Sequence, residues 1–107
     1  MNPSTPKISI ITVSFNSAQT IGDTLKSIAG QSYPNIEHII VDGSSTDQTM
    51  QIVMGFPHVT KCISEKDEGI YFAMNKGIAM ASGDVIGILN ADDLYADNGV
   101  IAKVAAV

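Results

Sequence analysis

Residues 69–93 read GIYFAMNKGIAMASGDVIGILNADD, and the architecture follows from this stretch. Ile70, Ala73, Met74, Gly77, Ile78 and Ala81 recur at i, i+3, i+4, i+7, i+8 and i+11, which predicts a helix from about Gly69 to Ala81. Gly83 stops that helix. Asp84 to Leu89 then reads as a strand, because Val85, Ile86, Ile88 and Leu89 form a short apolar run of the kind buried in a sheet. The run ends abruptly in Asn90, Ala91, Asp92 and Asp93. Adjacent carboxylates straight after a buried strand repel each other and are costly to desolvate. A divalent cation relieves both problems, and Mg²⁺ or Mn²⁺ takes carboxylate oxygens together with substrate phosphates. Taken alone, the same pair also fits a polar turn that closes the strand and caps a following helix.

Working outward, the same unit recurs. Lys7 to Val13 (KISIITV) is β-branched and apolar, as a parallel strand covered on both faces should be. Asn16 or Ser17 is placed to cap a helix running to about Ala29, with Ile21, Leu25 and Ile28 on its apolar face and Gly30 at its end. Glu37 to Val41 predicts a second strand, followed by the polar loop Asp42-Gly43-Ser44-Ser45-Thr46-Asp47. Ser45 and Gln48 resemble a capping box for a helix from about Asp47 to Met54. Val59 to Ser64 predicts a third, more exposed strand, and a last helical segment is expected from about Asn98. Strand and helix in alternation predict a mostly parallel, three-layer α/β sheet with right-handed crossovers.

Composition narrows the function. The chain has 107 residues, a net charge of −5 and no arginine, so its six basic residues are all lysine. Nucleic acid and anionic membrane surfaces both select basic patches, so neither is expected as the main partner. The single Cys62 excludes an internal disulfide and fits a reducing, cytoplasmic compartment. No run approaches the ~18 apolar residues of a transmembrane helix. Residues 1–6 are polar and proline-containing, and are expected to form a loose tail. His38 and His58 have no Cys or His partner at metal-ligand spacing, so no role is expected of either.

In parallel α/β sheets, ligands bind at the carboxyl ends of the strands, near the switch in strand order. Thr12, Ser14 and Asn16 follow strand one, Asp42 follows strand two, Glu65 to Asp67 follow strand three, and Asn90, Asp92 and Asp93 follow strand four. Such a rim suits sugar hydroxyls, a nucleobase N–H and a metal. The turn after strand one, Ser14-Phe15-Asn16-Ser17-Ala18, has no glycine, which argues against a dinucleotide-binding domain; a P-loop is absent too. A response-regulator-like domain wants acidic residues after strand one, and a nucleotidyltransferase wants a glycine-rich, arginine-containing loop there; neither is present.

At this point the motifs resemble a known family. Ile11-Thr12-Val13-Ser14-Phe15-Asn16, Ile40-Val41-Asp42-Gly43-Ser44-Ser45-Thr46-Asp47, Gly69-Ile70-Tyr71 with Ala73-Met74-Asn75-Lys76-Gly77, and Leu89-Asn90-Ala91-Asp92-Asp93 look like the inverting glycosyltransferases of family 2. The resemblance covers about residues 7–98 and has the flavour of bacterial enzymes that build cell-surface polysaccharide. It implies the Rossmann-like nucleotide-binding half of a GT-A fold and a nucleotide-sugar donor, expected to be a UDP-sugar. The acceptor would be a saccharide or lipid-linked saccharide. Thr12 and Ser14 would line the nucleobase pocket, Asn16 would contact the nucleotide-sugar, Asp42 would bind the base or ribose, and Asp67 would lie near the base. Lys76 would reach the pyrophosphate or donor sugar, Asp92 the ribose or donor sugar, and Asp93 the metal, Mn²⁺ or Mg²⁺.

The resemblance has gaps. Phe72 stands where family members often carry an acidic residue. The general base and the acceptor half are expected beyond residue 107, so residues 7–107 are expected to be the donor-binding part of a longer enzyme. A non-catalytic nucleotide- and metal-binding module is the alternative. Peripheral membrane association through further regions, and a homo-oligomer, are both compatible with this expectation.

Overall fold

Strand one behaves as its β-branched sequence requires. In the computed structural model, which describes residues 6–66, 69–91, 99 and 101, it spans Ile8–Ser14 (β1) and lies at the middle of the sheet. The chain continues through α1 (Ile21–Ala29), β2 (Ile36–Asp42), α2 (Thr49–Met54), β3 (Val59–Ser64), α3 (Ile70–Met80) and β4 (Val85–Ile88). The strand order is β3-β2-β1-β4, and every pairing is parallel. The chain therefore steps outward from β1 through β2 to β3, then returns to the other side of β1. That return is the switch in strand order where a ligand crevice opens.

Side-chain alternation sets the layers. Ile8, Ile10, Ile28 and Leu89 pack together on one face, where Ile21, Leu25, Ile40 and Val53 form a second cluster. These clusters bury α1 and α2. Ile11, Ile39 and Val41 point the other way, onto Ala73 of α3. Each fully buried isoleucine contributes roughly 1.5–3 kcal/mol, and Ile8, Ile10, Ile11, Ile39 and Ile40 all stand on the paired central strands. α3 sits close because Gly77 faces Ile11: a Cβ at Gly77 would lie 2.4 Å from Ile11 Cγ2.

A buried ion cluster closes the amino ends of the strands. The Glu37 carboxylate is 1% exposed and accepts bonds from Ser9 Oγ (2.8 Å), Ser82 N (2.9 Å) and Ser82 Oγ (2.9 Å). Lys7 and Lys61 lie 3.3 and 3.2 Å from it. Burial alone raises its pKa, but the bonds from Ser82, Ser9 and Lys61 outweigh burial and hold it at about 2.

Several expectations need correction. α1 begins at Ile21 with Thr20 at its N-cap, so neither Asn16 nor Ser17 caps it; residues 17–20 form a turn in which Thr20 N and Ile21 N donate to Ser17 O. α2 begins at Thr49, and Ser45 does not cap it; Ser45 turns back to Asp42 instead. β4 is not buried on both faces: Val85, Ile86 and Ile88 are 38%, 43% and 44% exposed, since among the described residues β4 pairs only with β1. On α3 only Ala73 and Gly77 of the apolar stripe are buried, while Ile70 and Ile78 are exposed. Of the expected last helical segment, Gly99 and Ile101 are described, and Ile101 is buried.

Candidate functional site

A cavity of about 950 Å³ opens at the carboxyl ends of the strands. One wall is the β1–α1 turn, from Ser14 to Thr20. Gly43 and Asp47 belong to the β2–α2 loop, Lys66 and Gly69 lie between β3 and α3, and Asn90 and Ala91 follow β4. Every strand therefore sends its following loop to one crevice, as the alternating sequence predicts.

The turn after β1 is held in shape by the loop after β2. Asn16 adopts φ 47°, a left-handed conformation that asparagine tolerates better than most residues. Its Oδ1 accepts from Thr46 N (2.8 Å), and its N–H donates to Ser45 Oγ (2.8 Å). Ser17 N donates to Thr49 Oγ1 (2.8 Å) and Ala18 N to Asp47 Oδ2 (3.2 Å). Thr49 also donates its N–H and hydroxyl to Asp47 Oδ1. The Thr49 hydroxyl is the main reason the Asp47 carboxyl sits below its ordinary pKa. These bonds leave the rim of the turn, including the 62%-exposed Phe15, facing the cavity on a fixed backbone.

Asp42 lies beneath this rim. Its carboxylate is closed to solvent and accepts four bonds: Ser14 Oγ (2.7 Å), Ser45 N (2.8 Å), Ser45 Oγ (2.6 Å) and Ser64 Oγ (2.8 Å). Burial raises its pKa, but the bonds from Ser45, Ser14 and Ser64 outweigh burial and keep the carboxyl below the usual range. Asp42 thus ties the tips of β1, β2 and β3 together, and its neighbour Gly43 presents the backbone to the cavity.

Thr12 is also buried, two residues behind the rim. Its hydroxyl shares a 2.8 Å hydrogen bond with His38 Nε2, and His38 Nδ1 lies 3.0 Å from His58 Nε2. The two imidazoles stack at 5.1 Å between centroids. Burial, and next the His58 ring, push His38 down to about 3, so it is neutral at physiological pH. No role is expected of this pair from sequence spacing, since β2 and the start of β3 bring the rings together only in the fold. A clue is present in the sequence: a lone polar His38 inside an apolar strand needs a partner.

Lys76 stands on α3, where its Nζ lies 2.7 Å from Glu65 Oε1 and 5.1 Å from the Phe72 ring centroid. Lys66, which the motifs do not single out, lines the cavity. Of the predicted residues, Ser14 and Asn16 line the cavity, whereas Thr12, Asp42 and Lys76 do not. Asp67, Asp92 and Asp93 lie outside the described residues. Among the described residues no cluster of three metal-ligating side chains occurs, and no helix is long and apolar enough to cross a membrane. In the sequence, Asp92 and Asp93 follow directly on Ala91, which lines the cavity.

Comparison with known proteins agrees with this geometry. Residues 9–107 match glycosyl transferase family 2. An uncharacterized glycosyltransferase of Mycobacterium tuberculosis is 41% identical over 102 residues, which cover 94% of this chain and 39% of that protein. TarS of S. aureus, solved in complex with UDP-GlcNAc, superposes with a TM-score of 0.87 at 28% identity, covering 94% of this chain and 30% of that one. A mannosyltransferase of Pyrobaculum calidifontis, solved with GDP-Man and Mn²⁺, gives a TM-score of 0.84 at 28% identity, covering 91% and 30%. The chain spans about two fifths of the length of the curated relatives it matches. The parallel sheet is that of a GT-A fold, as expected. Both the matched residues and the shared fold lead to the same assignment: the chain belongs to glycosyl transferase family 2.

Proposed function

We propose that the cavity holds a nucleotide-sugar donor, taken as a UDP-sugar, for inverting transfer to a hydroxyl of a saccharide or lipid-linked saccharide. The setting is cytoplasmic synthesis of bacterial cell-surface polysaccharide. The observation that carries the proposal is the convergence of all four post-strand loops on one 950 Å³ cavity at the switch in strand order. The likeness to structures holding UDP-GlcNAc and GDP-Man with Mn²⁺ supports it.

In this proposal the base and ribose lie against the rim from Ser14 to Thr20, with Phe15 offering a ring face and Gly43 a bare backbone. Ser14 and Asn16 act mainly by fixing that rim, and Asp42 acts from below through its four bonds. Asp93 would hold Mn²⁺ or Mg²⁺, and Asp92 would contact the ribose or donor sugar. The metal supplies charge neutralisation for the departing nucleoside diphosphate. Asp47, at the cavity wall, is already engaged by Thr49 and Ala18 and is not assigned as the general base.

Backbone NMR locates the ligand directly. On titration with UDP and Mg²⁺, amides of residues 14–20, 43–47 and 90–91 should shift, and those of Ser9, Glu37 and Ser82 at the opposite end should not. Shifts centred on the amino ends of the strands would overturn the proposal.

A further inference from the structure

We infer that Lys66, and not Lys76, is the cation that meets the donor's diphosphate, and that Lys76 positions it by holding Glu65. The inference rests on the donor-site proposal above. A nucleoside diphosphate brings at least two negative charges to a chain whose own net charge is −5 and which has no arginine. Beyond a metal, lysine is the only cationic side chain present to meet it.

The lysines sort by position. Lys7 and Lys61 are held by Glu37 at the amino ends of the strands. Lys26 is in the last turn of α1, the end that points away from the cavity. Lys103 lies outside the described residues. Lys76 is 19% exposed, engaged by Glu65 at 2.7 Å and laid over the Phe72 ring. Lys66 lines the cavity and makes no ion pair among the described residues. A cation already neutralised by a carboxylate has less charge to offer a ligand, whereas Lys66 has no such pair among the described residues.

The Glu65–Lys76 pair has a different use. Glu65 N donates to Asp42 O (3.0 Å), which fixes the backbone just after β3 to the tip of β2. The Glu65 carboxylate is fixed to α3 through Lys76. The residue before Lys66 is thus anchored to two elements, and Gly69, at φ 133°, lets the chain turn into α3 immediately afterwards. That turn is strained for any other residue. Lys66 therefore follows directly on a residue fixed to two elements, which reduces the ordering its side chain needs on binding.

The test uses the whole chain with Mn²⁺ held constant. UDP and uridine are the probes, with GDP and guanosine run in parallel. Lys66→Met should weaken nucleoside diphosphate binding about ten- to hundredfold, as loss of a charge-assisted contact does, and leave nucleoside binding unchanged. Lys66→Arg should restore most of the affinity. Lys76→Met and Glu65→Gln should each weaken diphosphate binding several-fold, and neither should weaken it further in a Lys66→Met background. Nucleoside affinity serves as the folding control in every variant. Diphosphate affinity within twofold of the parent for Lys66→Met would overturn the inference, as would an undiminished Lys76→Met effect in that background. If the parent chain binds none of the four probes, the donor-site proposal itself fails.

Discussion

The hydroxyl of Ser14 and the carboxylate of Asp42 meet at 2.7 Å across paired positions of β1 and β2, both closed to solvent. Two residues that read from sequence as ligand contacts are thereby bonded to each other. Asp42→Asn keeps the shape but removes the charge that four donors converge on. Hydrogen bonds to charged groups contribute about 1.5–3 kcal/mol each, and the four share partners, so a total loss of ~2–4 kcal/mol is expected. Urea unfolding without ligand checks this. A midpoint unchanged from the parent would mean that Asp42 is not the hub of the strand tips.

Packing gives the second prediction. A methyl group at Gly77 would sit 2.4 Å from Ile11 Cγ2, and Ile11 is fully buried. Gly77→Ala gains helix propensity, by roughly 1 kcal/mol, but overpacks the contact between α3 and β1 by about 1–3 kcal/mol. Net destabilisation is expected. Ile11→Val in the same chain should recover part of it, because a smaller side chain makes room. Equal thermal midpoints for Gly77→Ala and the parent would contradict this close approach.

Acid sensitivity follows from two buried groups of opposite kind. His38 has its pKa lowered to about 3 in the fold, so the unfolded chain takes up its proton first as the pH drops below ~6.5. Stability from His38 is complete above that value and falls by about 1.4 kcal/mol per pH unit below it, down to the folded pKa. Glu37 is held at about 2, so its contribution is present above ~4.5 and is lost as the pH falls through 2. Unfolding free energies measured from pH 7 to pH 4 should therefore decline already between pH 6.5 and 5, before carboxylates titrate. His38→Leu should flatten that upper part of the curve. A flat parent curve down to pH 5 would show that His38 is not held neutral.

The loop staple is tested by two substitutions at one position. Asn16 supplies both a left-handed backbone and the acceptor for Thr46 N. Asn16→Gly keeps the first and loses the second, while Asn16→Ala loses both. Nucleotide affinity should fall in both variants, and stability should fall further in Asn16→Ala, by about 1 kcal/mol relative to Asn16→Gly. Equal stability would show that the left-handed turn carries no strain.

The contrast between strands shows what sequence alone conveys. β1 and β3 lie where their composition places them, because β-branched runs bounded by polar turns have few other solutions. β4 has an equally apolar run, yet its residues are exposed, since burial depends on what lies alongside rather than on the run itself. Ser14, Asn16 and Asp42 are legible as strand-tip residues, but their partners are each other and Ser45, Thr46 and Ser64, which only the register of three strands brings together. The same holds for His38 and His58, twenty residues apart in sequence and hydrogen-bonded in the fold. Motif position singled out Lys76, whereas cavity position singles out Lys66, a distinction set by the Glu65 ion pair.

The most direct measurement is calorimetric titration of UDP into the protein, with and without Mn²⁺, beside Asp93→Asn. Saturable binding of one UDP per chain, strengthened by Mn²⁺ and losing that Mn²⁺ dependence in Asp93→Asn, is the expected result. Absence of UDP and GDP binding in the presence of Mn²⁺ would contradict a donor site in this cavity. Binding indifferent to both metal and Asp93→Asn would keep the nucleotide site and remove the metal from it.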